Sequence, residues 1–304
     1  MQMKKYILFV FAICACAIAH AQQLPQFTSY QLNPYLYNPA YAGVDGYTQL
    51  NAVVREQWSG INKAPETKSI SMFGPLRNEK MALGGVVVSD KLGAESKNGF
   101  QLSYAYHLRL KNDLSLSLGI SGGLMQYKLD NTVINPYDDG DPVFSIPGLT
   151  DVVPNASFGM YLYSEKYYVT LAVPQLLNSS FSALDDDFEN EGQDLLGGSL
   201  VNHYYLGGGY QHELNDQWDI EPSLLLKMIP SVIQFEVVTK FTYNDMLWAA
   251  LGYRYNESAL LYLGYDINDQ FYIAYGHDFM TSGLNAVSSG TNEFKFGMRF
   301  NKGK

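Results

Sequence analysis

Past residue 21 the chain has no cysteine, because both of its cysteines, Cys14 and Cys16, lie in an N-terminal export leader. The mature protein is therefore expected to have no disulfide scaffold, thiolate zinc site or thiol nucleophile. The leader has Lys4 and Lys5 at its charged end, an apolar run from Tyr6 to Ile18, and Ala19-His20-Ala21 as a small-x-small cleavage site. Residues 1–21 read as a secretory signal and Gln22 as the mature start. A lipid anchor on Cys16 is the alternative, but Ile13-Cys14-Ala15 is a poor lipobox. No later stretch approaches the run of about 18 apolar residues that a spanning helix needs. Basic residues are also scarce, 20 against 30 acidic ones. Losing Lys4 and Lys5 leaves a formal charge of −12, which argues against nucleic acid as a partner. There is no HExxH, no GxSxG, no phosphate loop and no metal signature. His107, His203, His212 and His277 show no nucleophile beside them in sequence, so neither an enzyme nor a cofactor is expected.

What the chain does have is alternation. Phe294, Phe296, Met298 and Phe300 alternate with Glu293, Lys295, Gly297 and Arg299. Leu114, Leu116, Leu118 and Ile120 alternate with Ser115, Ser117, Gly119 and Ser121. Fourteen such segments are read near 47–58, 66–74, 81–89, 99–110, 113–128, 155–163, 166–173, 203–212, 216–227, 232–243, 246–255, 258–266, 270–277 and 292–300. One face is apolar; the other collects Asp219, Glu221, Lys227, Glu236, Lys240, Arg254, Glu293, Lys295 and Arg299, with Arg55 and Gln57 in phase. Facing lipid at mid-depth, Arg or Lys would cost about 2–4 kcal/mol each; facing a wet lumen, both signs pair across strands. The expected fold is all-β, a transmembrane antiparallel barrel of about 14 strands spanning residues 47–304. The 24 tyrosines suit strands and membrane interfaces alike. Pro222 cannot donate to a ladder and is expected at a strand end or bulge. A soluble double sheet shares the same periodicity; the leader and the connections favour the membrane.

Connections after even-numbered strands are short, whereas 129–154, 174–202 and 277–291 follow odd-numbered ones. Barrels of the outer membrane alternate short periplasmic turns with longer outer loops in this way. Asp138, Asp139 and Asp141 fall in one long loop, and Asp185, Asp186, Asp187, Glu189, Glu191 and Asp194 in another. Their spacing matches no calcium loop, so they read as solvated acids on the outer rim, able to receive a basic or calcium-bridged partner. Trp58-Ser59-Gly60 ends the first strand at that rim, as an interface anchor or as a partner contact.

Residues 22–46 alternate poorly and form a separate leader segment. Asn33-Pro34 and Asn38-Pro39 are turn dipeptides among Phe27, Tyr30, Tyr35, Tyr37 and Tyr41. Two readings stand: a compact hatch that enters the barrel mouth or lies under it on the periplasmic side, with Gln26, Asn33 and Asn38 bonding inward-facing side chains, or a structured leader that merely covers an edge or orients the first strand.

The run QLPQFTSYQLNPYLYNPAYAG, Gln23 to Gly43, resembles the opening of the PorP/SprF family, outer-membrane proteins of the type IX secretion system of Bacteroidetes. Pro25, Gln26, Phe27, Asn33, Pro34, Asn38, Pro39, Ala40, Tyr41 and Gly43 carry that likeness. It continues in Arg55 to Ser71, Leu83 to Gly93 and Thr281 to Phe300, with departures at Leu24, Glu56 and Asn292. The resemblance implies a barrel in outer-membrane lipid that touches secretion machinery. It also implies a role in export and surface attachment of client proteins bearing a C-terminal sorting domain, such as gliding-motility adhesins. The alternative is a transporter of small hydrophobic molecules similar to the fatty-acid transporters, whose hatch also carries an Asn-Pro-Ala turn. A mainly charged, Ser- and Gly-rich interior favours the first.

Overall fold

The computed structural model describes residues 26–111, 113–130, 149–177, 179–181, 198–199, 201–229 and 232–300. The acidic loop residues 138–141 and 185–194, Pro25 and the leader lie outside them. The strands are β1 (Thr48–Glu56), β2 (Glu66–Pro75), β3 (Met81–Leu92), β4 (Glu95–Arg109), β5 (Ser115–Leu129), β6 (Leu149–Tyr163) and β7 (Tyr167–Val173). They continue as β8 (Tyr204–Tyr210, prolonged by His212–Asn215), β9 (Trp218–Ile229), β10 (Val232–Tyr243), β11 (Leu247–Arg254), β12 (Ser258–Asp266), β13 (Phe271–Met280) and β14 (Thr291–Phe300). Each strand pairs antiparallel with its sequence neighbours, β8 pairs with both β7 and β9, and β1 pairs with β14 from Thr48↔Phe300 to Glu56↔Asn292. The ladder therefore closes on itself, and Ser180–Phe181 and Gly198–Ser199 pair apart from it in a two-stranded sheet. This is a closed 14-stranded barrel.

The faces follow the alternation. Ile70, Leu102, Ile120, Leu224, Ile233, Leu251 and Phe294 point outward and are exposed on the protein alone. Ser69, Ser71, Ser103, Ser117, Ser223 and Glu236 point inward and are buried. With acyl chains outside, the first set is solvated by lipid; a water-soluble sheet would expose it. At the tight-turn end Trp218 and Tyr243 pack with ring centroids 4.8 Å apart, rings suited to a membrane interface.

Three details differ from the expectation. Residues 90–98 are not an open connection: β3 and β4 run on to a two-residue turn at Gly93-Ala94, where Gly93 has φ +61°. Residues 149–154 belong to β6 and 278–280 to β13. Pro222 lies within β9, not at its end. Its missing donor falls at a break in the neighbouring ladder: β8 pairs with β9 at Gly209↔Ser223 and resumes at His212↔Ile220, leaving out Tyr210, which faces Pro222, and Gln211.

Leu251, mid-strand on β11 and 55% exposed, tests the assigned outer face. Leu251→Arg is expected to destabilise the barrel by about 2–4 kcal/mol, read as a lower urea midpoint in lipid vesicles. Glu56→Arg at the strand end should leave the midpoint nearly unchanged.

Candidate functional site

Residues 26–47 do not lie beneath the barrel; they run through its lumen. Residue 26 sits near the β11–β12 turn at the long-loop end, and the chain descends to Thr48 at the tight-turn end. Pro34 and Pro39 each set the first residue of a single helical turn, α1 (Pro34–Tyr37) and a 3-10 turn (Pro39–Tyr41). Proline suits that position because its φ is already helical and the amide proton it lacks would have no partner there. Asn38 joins the two turns. Its Oδ1 accepts the Ala40 N–H at 2.8 Å, and its Nδ2 donates to Thr170 Oγ1 at 2.8 Å and to the carbonyls of Met160 and Leu171.

The wall is recessed where this segment touches it. A Cβ on Gly159 would stand 1.8 Å from Asn38 Oδ1, and one on Gly119 would stand 2.3 Å from the Ala40 nitrogen. Larger residues on the inner face of β5 and β6 would push the turns away. The apolar residues of the segment divide among three patches of the wall. Leu32 meets Val238, Trp248 and Tyr262; Phe27, Tyr30 and Tyr37 meet Val53, Tyr205 and Leu225; Tyr35 and Ala42 meet Phe73 and Ala105. Tyr35 stacks on Phe73 with centroids 4.2 Å apart and bonds Ser103 Oγ at 2.7 Å. Tyr41 meets Tyr161 edge-on, and His107 Nε2 bonds the Ala42 carbonyl at 2.9 Å.

Toward the long-loop end, charges from β1, β10, β11, β13 and β14 converge on residues 27–33. Arg254, fully buried, reaches Glu236 at 2.9 Å, Glu257 at 2.8 Å and Asp278 at 3.4 Å. Its Nη2 also donates to the carbonyls of Phe27 and Thr28, both at 2.9 Å. Arg55 pairs with Asp278 at 2.7 Å and Glu293 at 3.5 Å and donates to Thr28 Oγ1. Glu293 in turn accepts the Thr28 N–H at 2.7 Å, Asn33 Nδ2 at 3.2 Å and the Tyr262 hydroxyl at 3.0 Å. Glu257, in the turn after β11, is pushed up by burial, but Arg254, Lys227 and Gln234 together pull its carboxyl below the ordinary range.

A second set of charges lines the lower lumen. Arg299 pairs with Asp266 and lies over the Tyr272 ring, and Lys295 donates to the Leu32 carbonyl. Lys240 pairs with Glu221 at 3.0 Å. Asp45 accepts from the Tyr41 hydroxyl and from Gln49 Nε2.

Two cavities flank the segment. The upper one, toward the long-loop end, is lined by Leu36, Pro39, Val86 and Met125; the lower one by Tyr41, Tyr161, Tyr163 and Lys240. Tyr37, Asn38 and Tyr205 line both and stand between them.

Of the residues singled out from sequence, Arg55, Glu236 and Arg254 meet in the upper cluster, where Gln26 also reaches Gln234 and Glu257. Lys295, Arg299, Glu221 and Lys240 lie lower. Gln57 and Asp219 are half-buried and outside both sets. Gly43 approaches Ala82 of β3, with φ +84°. Trp58, at φ 51°, donates its N–H to Thr291 Oγ1, and Ser59 N–H donates to the Gly290 carbonyl at 2.7 Å, clasping the loops over the β1–β14 seam. Sequence reasoning missed Asp278, Glu257, Asp266 and Thr28. The phase of Tyr272, Ala274 and Gly276 would have placed Asp278 inward had β13 been extended; Glu257 and Thr28, outside strands, gave no such signal.

Arg254→Gln leaves buried Glu236 and half-buried Glu257 without their Arg254 partner. A loss of about 3–5 kcal/mol is expected from urea unfolding in vesicles. Gly159→Leu should instead loosen the segment, seen as faster hydrogen exchange at Asn38 to Ala42 with the strands still protected.

No curated protein matches the chain. The barrel is similar to the CymD monoaromatic hydrocarbon channel, with 12% identity, a TM-score of 0.51, and coverage of 86% of this chain and 90% of that one. It is also similar to the Acinetobacter baumannii outer membrane protein Omp33, with 8% identity, a TM-score of 0.49, and coverage of 84% and 98%. A Pseudomonas aeruginosa FadL homologue is 13% identical with a TM-score of 0.44, covering 93% and 95%. At these identities the likeness concerns the fold. Residues 19–298 match the family described as type IX secretion system membrane protein PorP/SprF, so the chain belongs to that family and is a barrel of the outer membrane.

Proposed function

We propose that the protein serves type IX secretion as a plugged scaffold, assisting export and surface attachment of secreted proteins such as adhesins. The observation that carries this reading is a lumen occupied by the chain's own residues 26–47, tied to both charge sets. A barrel filled in this way offers its two ends as working surfaces. By loop length the tight-turn end faces the periplasm, where machinery components would dock. The long-loop end, with the clasp at Trp58 and Gly290, would receive a client through its C-terminal sorting domain. In this reading residues 22–46 are a hatch, Asn33 and Asn38 are its latches, and Arg55, Glu236, Arg254 and Lys295 hold it. The role is non-enzymatic.

Transport of small hydrophobic molecules is the alternative. The upper cavity has the apolar lining such a path needs, but Tyr37, Asn38 and Tyr205 separate it from the lower one.

Deleting residues 22–43 tests the reading. The intact barrel is expected to show no steady conductance in planar bilayers, and the deletion to conduct. Client retention at the cell surface should fall in the same strain. Unchanged conductance together with unchanged export would overturn the proposal.

A further inference from the structure

The outer face of the barrel carries charge of one sign in one place. Among the described residues, Lys68, Lys91 and Lys128 are the outward-facing cations of the strands, and all three lie toward the long-loop ends of β2, β3 and β5. Lys68 is in phase with Ile70, and Lys128 with Ile120 and Leu124; Lys91 stands opposite Glu66, which shares the phase of Lys68. On the far side of the barrel the outward positions at the same end hold side chains such as Ile233, Tyr253 and Phe279. Basic residues are outnumbered 20 to 30 by acidic ones in the whole chain, so composition does not account for the cluster.

In register Lys91 stands opposite Ser96 of β4, and Ser96 stands opposite Lys128. Opposed residues of an antiparallel ladder lie about 4.5–5.5 Å apart at Cα, so the two lysines are about 9–11 Å apart with a serine between them. Their flexible four-carbon stems bring both ammonium groups within reach of one anion. Neither lysine has an ion pair among the described residues, whereas Glu66 is engaged by Lys68 at 2.6 Å. One row nearer the membrane centre, the Ser89 hydroxyl donates to Asn98 Oδ1 at 2.8 Å and Asn98 Nδ2 donates to Gln126 Oε1 at 3.2 Å. The next row is Val87, Phe100 and Leu124, all exposed. Successive rows are about 7 Å apart. Charge, hydrogen-bonding groups and apolar surface thus follow one another down the same three strands.

We propose that this strip seats an outer-leaflet lipid with a phosphorylated headgroup, of the lipid A type. The phosphate lies between Lys91 and Lys128, the linkage region against Ser89, Asn98 and Gln126, and the acyl chains on Val87, Phe100 and Leu124. Lysine meets phosphate as a point charge, so two that flank one group need no fixed fork geometry. An uncharged headgroup would leave both ammonium groups without a counter-charge, and a free anion would make no use of the rows beneath. The inference needs the long-loop end to face outward, as loop length sets it, and is independent of any client.

Native mass spectrometry of the full-length barrel in detergent, titrated with diphosphoryl lipid A, gives the affinity of the first bound lipid. The double variant Lys91→Gln, Lys128→Gln should weaken it about thirtyfold. The double variant Lys80→Gln, Lys166→Gln removes the same charge from the tight-turn end and should leave it unchanged. Lipid A stripped of its phosphates should bind wild type and the Lys91, Lys128 variant equally weakly, and inorganic phosphate at the concentration of the lipid should displace none of it. All four lysines are exposed, and heat-modifiable gel mobility reports that each variant is folded. Wild-type affinity in the folded Lys91, Lys128 variant, an equal loss in the Lys80, Lys166 variant, or no preference of wild type for the phosphorylated lipid overturns the proposal. Displacement by inorganic phosphate would reveal a site for the free anion and overturn it as well.

Discussion

The interaction on which the rest depends is the buried guanidinium of Arg254. It joins acids from β10, β13 and the β11–β12 turn, and it donates to two carbonyls of a segment more than 200 residues earlier in the chain. A charge buried in this way is tolerable only when its donors are met from several sides. The wall alone does not meet them all; residues 27 and 28 complete the set. The same holds for Glu293, whose partners are divided between the wall and the segment. Barrel and filling are therefore one electrostatic unit. Neither has its buried polar groups satisfied without the other.

Much of the wall was readable before any coordinates. A period of two, with serine and charge on one face and aliphatic side chains on the other, defines each strand because lipid tolerates no other arrangement. Beyond the expected strand ends, at 90–98 and 278–280, the strands run on past the segments read from alternation. Pro222, expected at a strand end or bulge, lies within β9, and the ladder is interrupted opposite it, at Tyr210 and Gln211 of the neighbouring strand.

The filling was legible in composition only. Asn-Pro pairs marked turns, and the turns are there. Their place was not legible, because a segment without periodicity is positioned by partners that are distant in sequence. Asn38 rests on Gly159 and Thr170, and Ala40 on Gly119. A glycine on an inner face looks the same in sequence whether it faces water or receives a backbone. The family likeness could carry the identity of the chain, but not which wall residues its opening motif would touch.

The downward course of residues 26–47 has a consequence for assembly. Residue 26 is held beside the ends of β10 and β11, while β1 begins at the opposite mouth. The seam that is last in chain order, β14 against β1, closes around a segment held at both heights of the cylinder. Closing that seam therefore shuts the wall around its own contents, and what fills the cylinder is fixed by the same chain that builds it.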